Sequence, residues 1–212
     1  MREGTKRLLK CDLMFVFKDI WVWFLVVAGL QIWFYLFYNT VANAALLISF
    51  VVGVCLLSTS VKDWQAQIRM YVSAGISRKG IFQVLLIRNT ALLLTGLLIE
   101  AVMVFAFYPE LGIKFLAVSG IYMLFVWGFG ETAGVMVYQR KKLGMFLTVI
   151  GYILTMIPCS FSFFSEGQAD FWMVLLREIP LTAMFVTGAL AAAVLVGSIC
   201  FARKHMGKYM VY

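Results

Sequence analysis

Two carboxylates stand inside long apolar runs, Glu100 between Ile81 and Phe107 and Glu131 between Phe115 and Tyr138. An ionisable group at membrane depth costs about 2.5 to 3.5 kcal/mol on insertion scales, so each should face a bundle interior, another subunit or water. Two roles fit each: a functional intramembrane acid, or a carboxyl bonded to a neighbouring helix with a purely structural effect. Glu131 follows Gly128-Phe129-Gly130 and precedes Gly134, small residues that permit close helix approach, and Gly151, Gly188 and Gly197 are expected to serve packing in the same way.

Other chemistry is excluded by inventory. His205 is the one histidine, and it lies in the flank Arg203-Lys204-His205 beyond the last apolar run, so a His-ligated zinc protease or a Ser/His protease lacks its parts. The four cysteines, Cys11, Cys55, Cys159 and Cys200, have no paired spacing for a metal site or disulfide framework and read as small packing residues. No Gly-rich phosphate loop followed by lysine is present, so this chain is not expected to be an enzyme or to hold a cofactor.

The elements that must position the two acids follow from composition. With 63% hydrophobic and 13% charged residues over 212 positions, the chain cannot hide its apolar side chains in one soluble core. A bilayer-crossing helix needs about 20 apolar residues, which leaves room for about six. The expected fold is therefore all-α, one polytopic membrane domain over residues 1–212. Its six apolar segments run from Ile20 to Tyr38, Val41 to Val61, Ile81 to Phe107, Phe115 to Tyr138, Leu143 to Phe164 and Leu181 to Ala202.

Residues 1–19 precede an apolar run too long for a cleaved signal. At 100° per residue, Arg7, Lys10 and Lys18 share one stripe, Leu9, Leu13 and Val16 another, and Asp12 with Asp19 a third. An amphipathic helix in the headgroup layer is one reading, and a frayed basic tail that only sets topology is the other. With the N-terminus inside, only Lys114 and Arg177 of the 18 Lys and Arg residues fall outside, counting Lys62, Arg69, Arg78, Lys79 and Arg88 as cytoplasmic. Both termini are thus expected in the cytoplasm of a cell-membrane protein. The net charge of +8 is explained by this asymmetry and by anionic lipid, without nucleic acid.

Outside, Asn39-Thr40 and Tyr108 to Gly112 are short turns. Residues 165–180 are half apolar yet charged, too short to cross, and place Phe171, Trp172 and Leu175 at helical spacing before Pro180. A short helix at the outer interface or re-entering the bilayer is expected, against a loop that merely packs on the spans.

Inside, residues 62–80 form a hairpin. The second span should continue through Lys62 to Tyr71 into the cytoplasm, with Gly75 stopping it in a left-handed conformation, Ser77 capping the next helix and Ile76 at the tip. Arg78 and Lys79 then sit in the first turn of the third span, where the macrodipole disfavours cations. Anionic lipid or an acidic groove on a cytoplasmic protein would compensate.

Six spans, the amphipathic N-terminal helix, the hairpin Arg69-Met70-Tyr71-Val72-Ser73-Ala74-Gly75-Ile76-Ser77-Arg78-Lys79 and the partly apolar external segment together resemble a small ABC-2-type transporter permease. The resemblance implies a membrane subunit that forms an export pathway with a second permease copy, identical or different. It also implies a separate cytoplasmic ATPase, which carries ATP and Mg. On that resemblance Leu9 and Leu13 line the interface helix, and Arg69, Gly75, Ile76, Ser77, Arg78 and Lys79 form the ATPase-coupling turn. Phe171, Trp172, Leu175 and Glu178 would belong to an external gate. Two rivals remain: a gradient-driven transporter in which Glu100 or Glu131 carries a proton, and the substrate-capturing membrane subunit of a vitamin-type importer. A non-transport membrane protein, such as an assembly or immunity factor, is the last alternative.

Overall fold

A chain this apolar must satisfy its backbone internally wherever lipid surrounds it, and helices do so within one segment. The computed structural model describes residues 4–14, 18, 22, 25, 29, 42–73, 75–107, 112–163 and 178–209, and no strand occurs among them. Helix α1 covers residues 4–14. Helix α2 runs over Ala42–Lys62, widens into a π-helical turn over Asp63–Gln67 and continues as α3, Ile68–Ser73. Then come α4 (Arg78–Phe107), α5 (Gly112–Gln139), α6 (Lys141–Phe163) and α7 (Leu181–Tyr209).

Four stretches among the described residues are long and apolar enough to cross a membrane: Leu47–Gln65, Arg78–Phe105, Gly112–Gln139 and Leu181–Met206. The segment expected from Leu143 to Phe164 is helical as α6. The first expected span, Ile20 to Tyr38, lies almost wholly outside the described residues, as do Asn39-Thr40, Tyr108 to Leu111 and the gate candidates Phe171, Trp172 and Leu175.

Helix α5 packs against α2, α4, α6 and α7, so Glu131 sits on the most surrounded helix. Its glycines allow this. A Cβ on Gly128 would lie 3.0 Å from the Leu195 backbone of α7, and one on Gly130 would lie 3.2 Å from the Leu57 Cα of α2. At Gly134 it would stand 2.5 Å from the Trp64 ring. Gly151 meets Leu57 and Phe129 as tightly, and Gly188 makes ordinary contact with Ile121. Gly197 departs from expectation, with nothing within 4 Å of its Cβ position, because it points away from every described neighbour. Leu94, Leu98, Val102 and Phe105 form an exposed apolar stripe along α4, and Phe146, Val149, Ile153, Phe185 and Leu190 are likewise exposed on α6 and α7. Such faces suit lipid, which solvates them without a hydrophobic penalty.

The corner between α3 and α4 closes as its residue types predict. Gly75 has φ 76, the Gly75 N–H donates to the Val72 carbonyl at 3.0 Å, and the Ile76 N–H donates to the Tyr71 carbonyl at 3.1 Å. This pair of bonds is a Schellman end, which satisfies carbonyls the helix would otherwise leave open. Ser77 Oγ then accepts from the Gly80 N–H at 3.2 Å, capping α4. The extension between Lys62 and Tyr71 packs into the bundle: Asp63, Trp64, Ile68 and Tyr71 are buried, and Ile76 packs on the cluster that Trp64, Ile68 and Tyr71 form with Ile81, Leu85, Val135, Ala202 and Met206. The π turn absorbs one extra residue, which turns Ile68 and Tyr71 inward.

Candidate functional site

The hairpin end of the bundle encloses a cluster of charged and polar side chains drawn from α1, α2, α3, α4 and α5. Its centre is Arg88, only 2% exposed. Nη1 donates to Asp63 Oδ1 at 3.0 Å and to Asp12 Oδ2 at 3.3 Å, and Nη2 donates to Asp63 Oδ2 and to Asn89 Oδ1. Nε reaches Asn89 Oδ1 at 3.2 Å. The fork of a guanidinium matches a carboxylate with two parallel bonds, and here all three nitrogens are engaged. The π turn positions Asp63 by placing it, together with Trp64, on the inner face.

Asn89 carries the network onward. Its Nδ2 donates to Glu131 Oε1 at 3.2 Å and to Ser60 Oγ at 3.4 Å. Glu131 Oε1 also accepts from Ser60 Oγ at 3.1 Å and Trp127 Nε1 at 3.2 Å, and Oε2 accepts from Trp64 Nε1 at 3.3 Å. Four donors from α2, its π turn, α4 and α5 thus satisfy one buried carboxyl group, which removes much of the cost of burying it. A cavity of about 10 Å³ lies beside it, between Trp64, Phe82, Leu86 and Ile199, large enough for about one water.

Helix α1 joins through Asp12, whose Oδ1 accepts from the Tyr71 hydroxyl at 3.1 Å. Burial, reinforced by the neighbouring Asp12 charge, pushes the Tyr71 phenol above its ordinary range, so it remains a donor. Thr5 packs against Gly80 at the start of α4, where a Cβ would lie 2.8 Å from Thr5 Oγ1. The packed face of α1 is therefore centred on Thr5, Leu8 and Asp12, with Leu9 and Leu13 half-buried at its side. Leu9 and Leu13 thus flank the face that pairs with Arg88 instead of lying at its centre.

The residues singled out from sequence are thus only partly brought together. Glu131 is in the cluster. Glu100 is buried elsewhere, bonded to Ser49 of α2 and Ser119 of α5. Arg69 lies exposed over the Tyr138 ring at 5.3 Å, Arg78 is half-buried and Lys79 exposed at the start of α4. Glu178, exposed, precedes Ile179, whose carbonyl accepts from Lys114 Nζ at 3.3 Å. The His205 ring lies tilted against Phe201 and meets Gln139, and no metal-binding group of His, Cys, Asp or Glu occurs among the described residues.

Arg88, counted from sequence among the cytoplasmic charges, is buried and paired within the bundle. The signal was present, since Arg88-Asn89 interrupts an otherwise apolar run, and a cation there requires a counterion. Asp12 and Asp63 are the acids that serve. Comparison with family models, with curated proteins and with solved structures returns no match to this chain.

Proposed function

We propose that this chain is the membrane-spanning permease subunit of an ATP-driven ABC exporter, with six spans, cytoplasmic termini and a pathway formed with a second permease copy. A separate cytoplasmic ATPase would dock on the α3–α4 corner and α1. The observation that carries the reading is the Tyr71–Asp12–Arg88 linkage, which joins those two docking elements through one buried side-chain network. A push on the corner is then transmitted to α1, to α2 through Asp63 and to α5 through Asn89 and Glu131. Exposed Lys79 at the start of α4 and exposed Arg69 on α3 suit an acidic groove on the partner. The four neutral donors on Glu131 favour a fixed joint over a travelling proton carrier at that position.

Co-purification tests this. The membrane protein should bring down a soluble chain bearing a Gly-x-x-x-x-Gly-Lys-[Ser/Thr] loop, and the complex should hydrolyse ATP. Reversing both charges, Arg78→Glu with Lys79→Glu, should abolish the association while leaving the helical content intact. Unchanged association refutes the docking assignment.

A further inference from the structure

Glu100 stands twelve residues along α4 from Arg88, about 18 Å by helical rise, and takes no part in that cluster. It is fully buried, as nearly are Ser49 of α2 and Ser119 of α5. The Ser49 hydroxyl meets Glu100 Oε1, the Ser119 hydroxyl meets Oε2, and the two hydroxyl oxygens lie 3.0 Å from each other. Three oxygen-to-oxygen contacts therefore close a ring across three helices.

A hydrogen bond holds each such contact only where one hydrogen lies between the two oxygens. The two serines supply one hydrogen each, and an ionised carboxylate supplies none. A hydrogen on the carboxyl group makes up the shortfall that an ionised carboxylate would leave. A donation by Ser49 outside the ring takes a hydrogen from it and widens that shortfall.

The surroundings agree. Gly96, one turn before Glu100, lets α4 approach α2 so closely that a Cβ would lie 2.6 Å from Val52, and Gly53 of α2 abuts the Tyr122 hydroxyl of α5 in the same way. Among the described residues no Lys, Arg or His pairs with Glu100, and the groups that α2 and α5 present to it are two serines that do not titrate.

We propose that Glu100 is a proton-binding site, in which a carboxylic acid supplies a hydrogen to the ring of contacts joining α2, α4 and α5. Removal of the proton leaves at most two hydrogens for three contacts, so at least one contact of the ring loses its hydrogen bond. The junction is thereby sensitive to a proton, whatever energises the protein.

Infrared spectroscopy of the full-length protein in lipid nanodiscs at neutral pH tests the proposal. The wild type should show a carboxylic-acid C=O band that is missing from Glu100→Gln and retained in Glu131→Gln. An absent band in the wild type, or an identical band in Glu100→Gln, overturns it. Glutamine keeps a donor and an acceptor toward the serines, so Glu100→Gln should fold with native helicity. Should it not fold, Ser119→Ala opens the ring while keeping the carboxyl, and the band should then move in frequency. An unmoved band in Ser119→Ala overturns the proposal as well.

Discussion

The Arg88 guanidinium grips Asp63 with both terminal nitrogens, Nη1 meeting Oδ1 at 3.0 Å, across 25 residues of chain. A pair so buried contributes little net stability over a well-packed apolar pair, but breaking it on one side strands a charge. Arg88→Met should therefore destabilise the protein by about 3 to 5 kcal/mol. The double variant Arg88→Met with Asp63→Leu should recover a large part of that loss. Thermal unfolding in detergent, followed by circular dichroism, reads both, and equal loss in the single and double variants would contradict the pairing.

Tyr71 holds α1 through Asp12. Tyr71→Phe removes one hydrogen bond to a carboxylate, worth about 1.5 to 3 kcal/mol, and should raise amide exchange of residues 4–14 well above that of α5. Exchange measured by mass spectrometry checks this, and uniform exchange across the chain would contradict it.

The same phenol supplies a pH dependence. Its folded value lies above the ordinary 10.0, chiefly through burial and then through Asp12. An acid held protonated by the fold contributes stability that is present below its unfolded value and is lost as pH rises through the folded one. The α1 contact should therefore survive at pH 10. Tyrosinate absorbance of the wild type and Tyr71→Phe should coincide there, and a larger signal in the wild type would show that Tyr71 ionises normally.

Gly75 has a positive φ and open space at its Cβ position. Gly75→Ala thus isolates the backbone cost of the left-handed conformation, about 1 to 2 kcal/mol, with no clash added. Gly75→Asn should cost less, since asparagine tolerates that region. Melting temperatures of the two variants supply the comparison, and a milder alanine would argue against the turn.

At Gly134 a Cβ would meet the Trp64 ring at 2.5 Å and the Ser60 carbonyl at 2.9 Å. Gly134→Ala should force α2 from α5, weaken the Trp64–Glu131 bond and cost about 1 to 3 kcal/mol. Gly188→Ala, whose nearest contact would be 3.6 Å, should be close to neutral. Tryptophan fluorescence together with thermal unfolding distinguishes them.

Local rules sufficed for much of this protein. Composition and run length dictate apolar helices, since lipid leaves the backbone no other partner. Gly75 and Ser77 mark the corner because conformational freedom and capping act within a few residues. Glu100 and Glu131 had to face inward for the same solvation reason that made them visible. Tertiary structure alone decided which acids Arg88 pairs with, that Asp12 rather than Leu9 or Leu13 centres the packed face of α1, that Ile76 tucks inward, and that Gly134 meets a neighbour while Gly197 meets none among the described residues. Those outcomes depend on how each helix is rotated about its own axis against partners 25 to 76 residues away. The π turn after Lys62 resets that rotation, and hydropathy, which shows the length of an apolar run, does not reveal it.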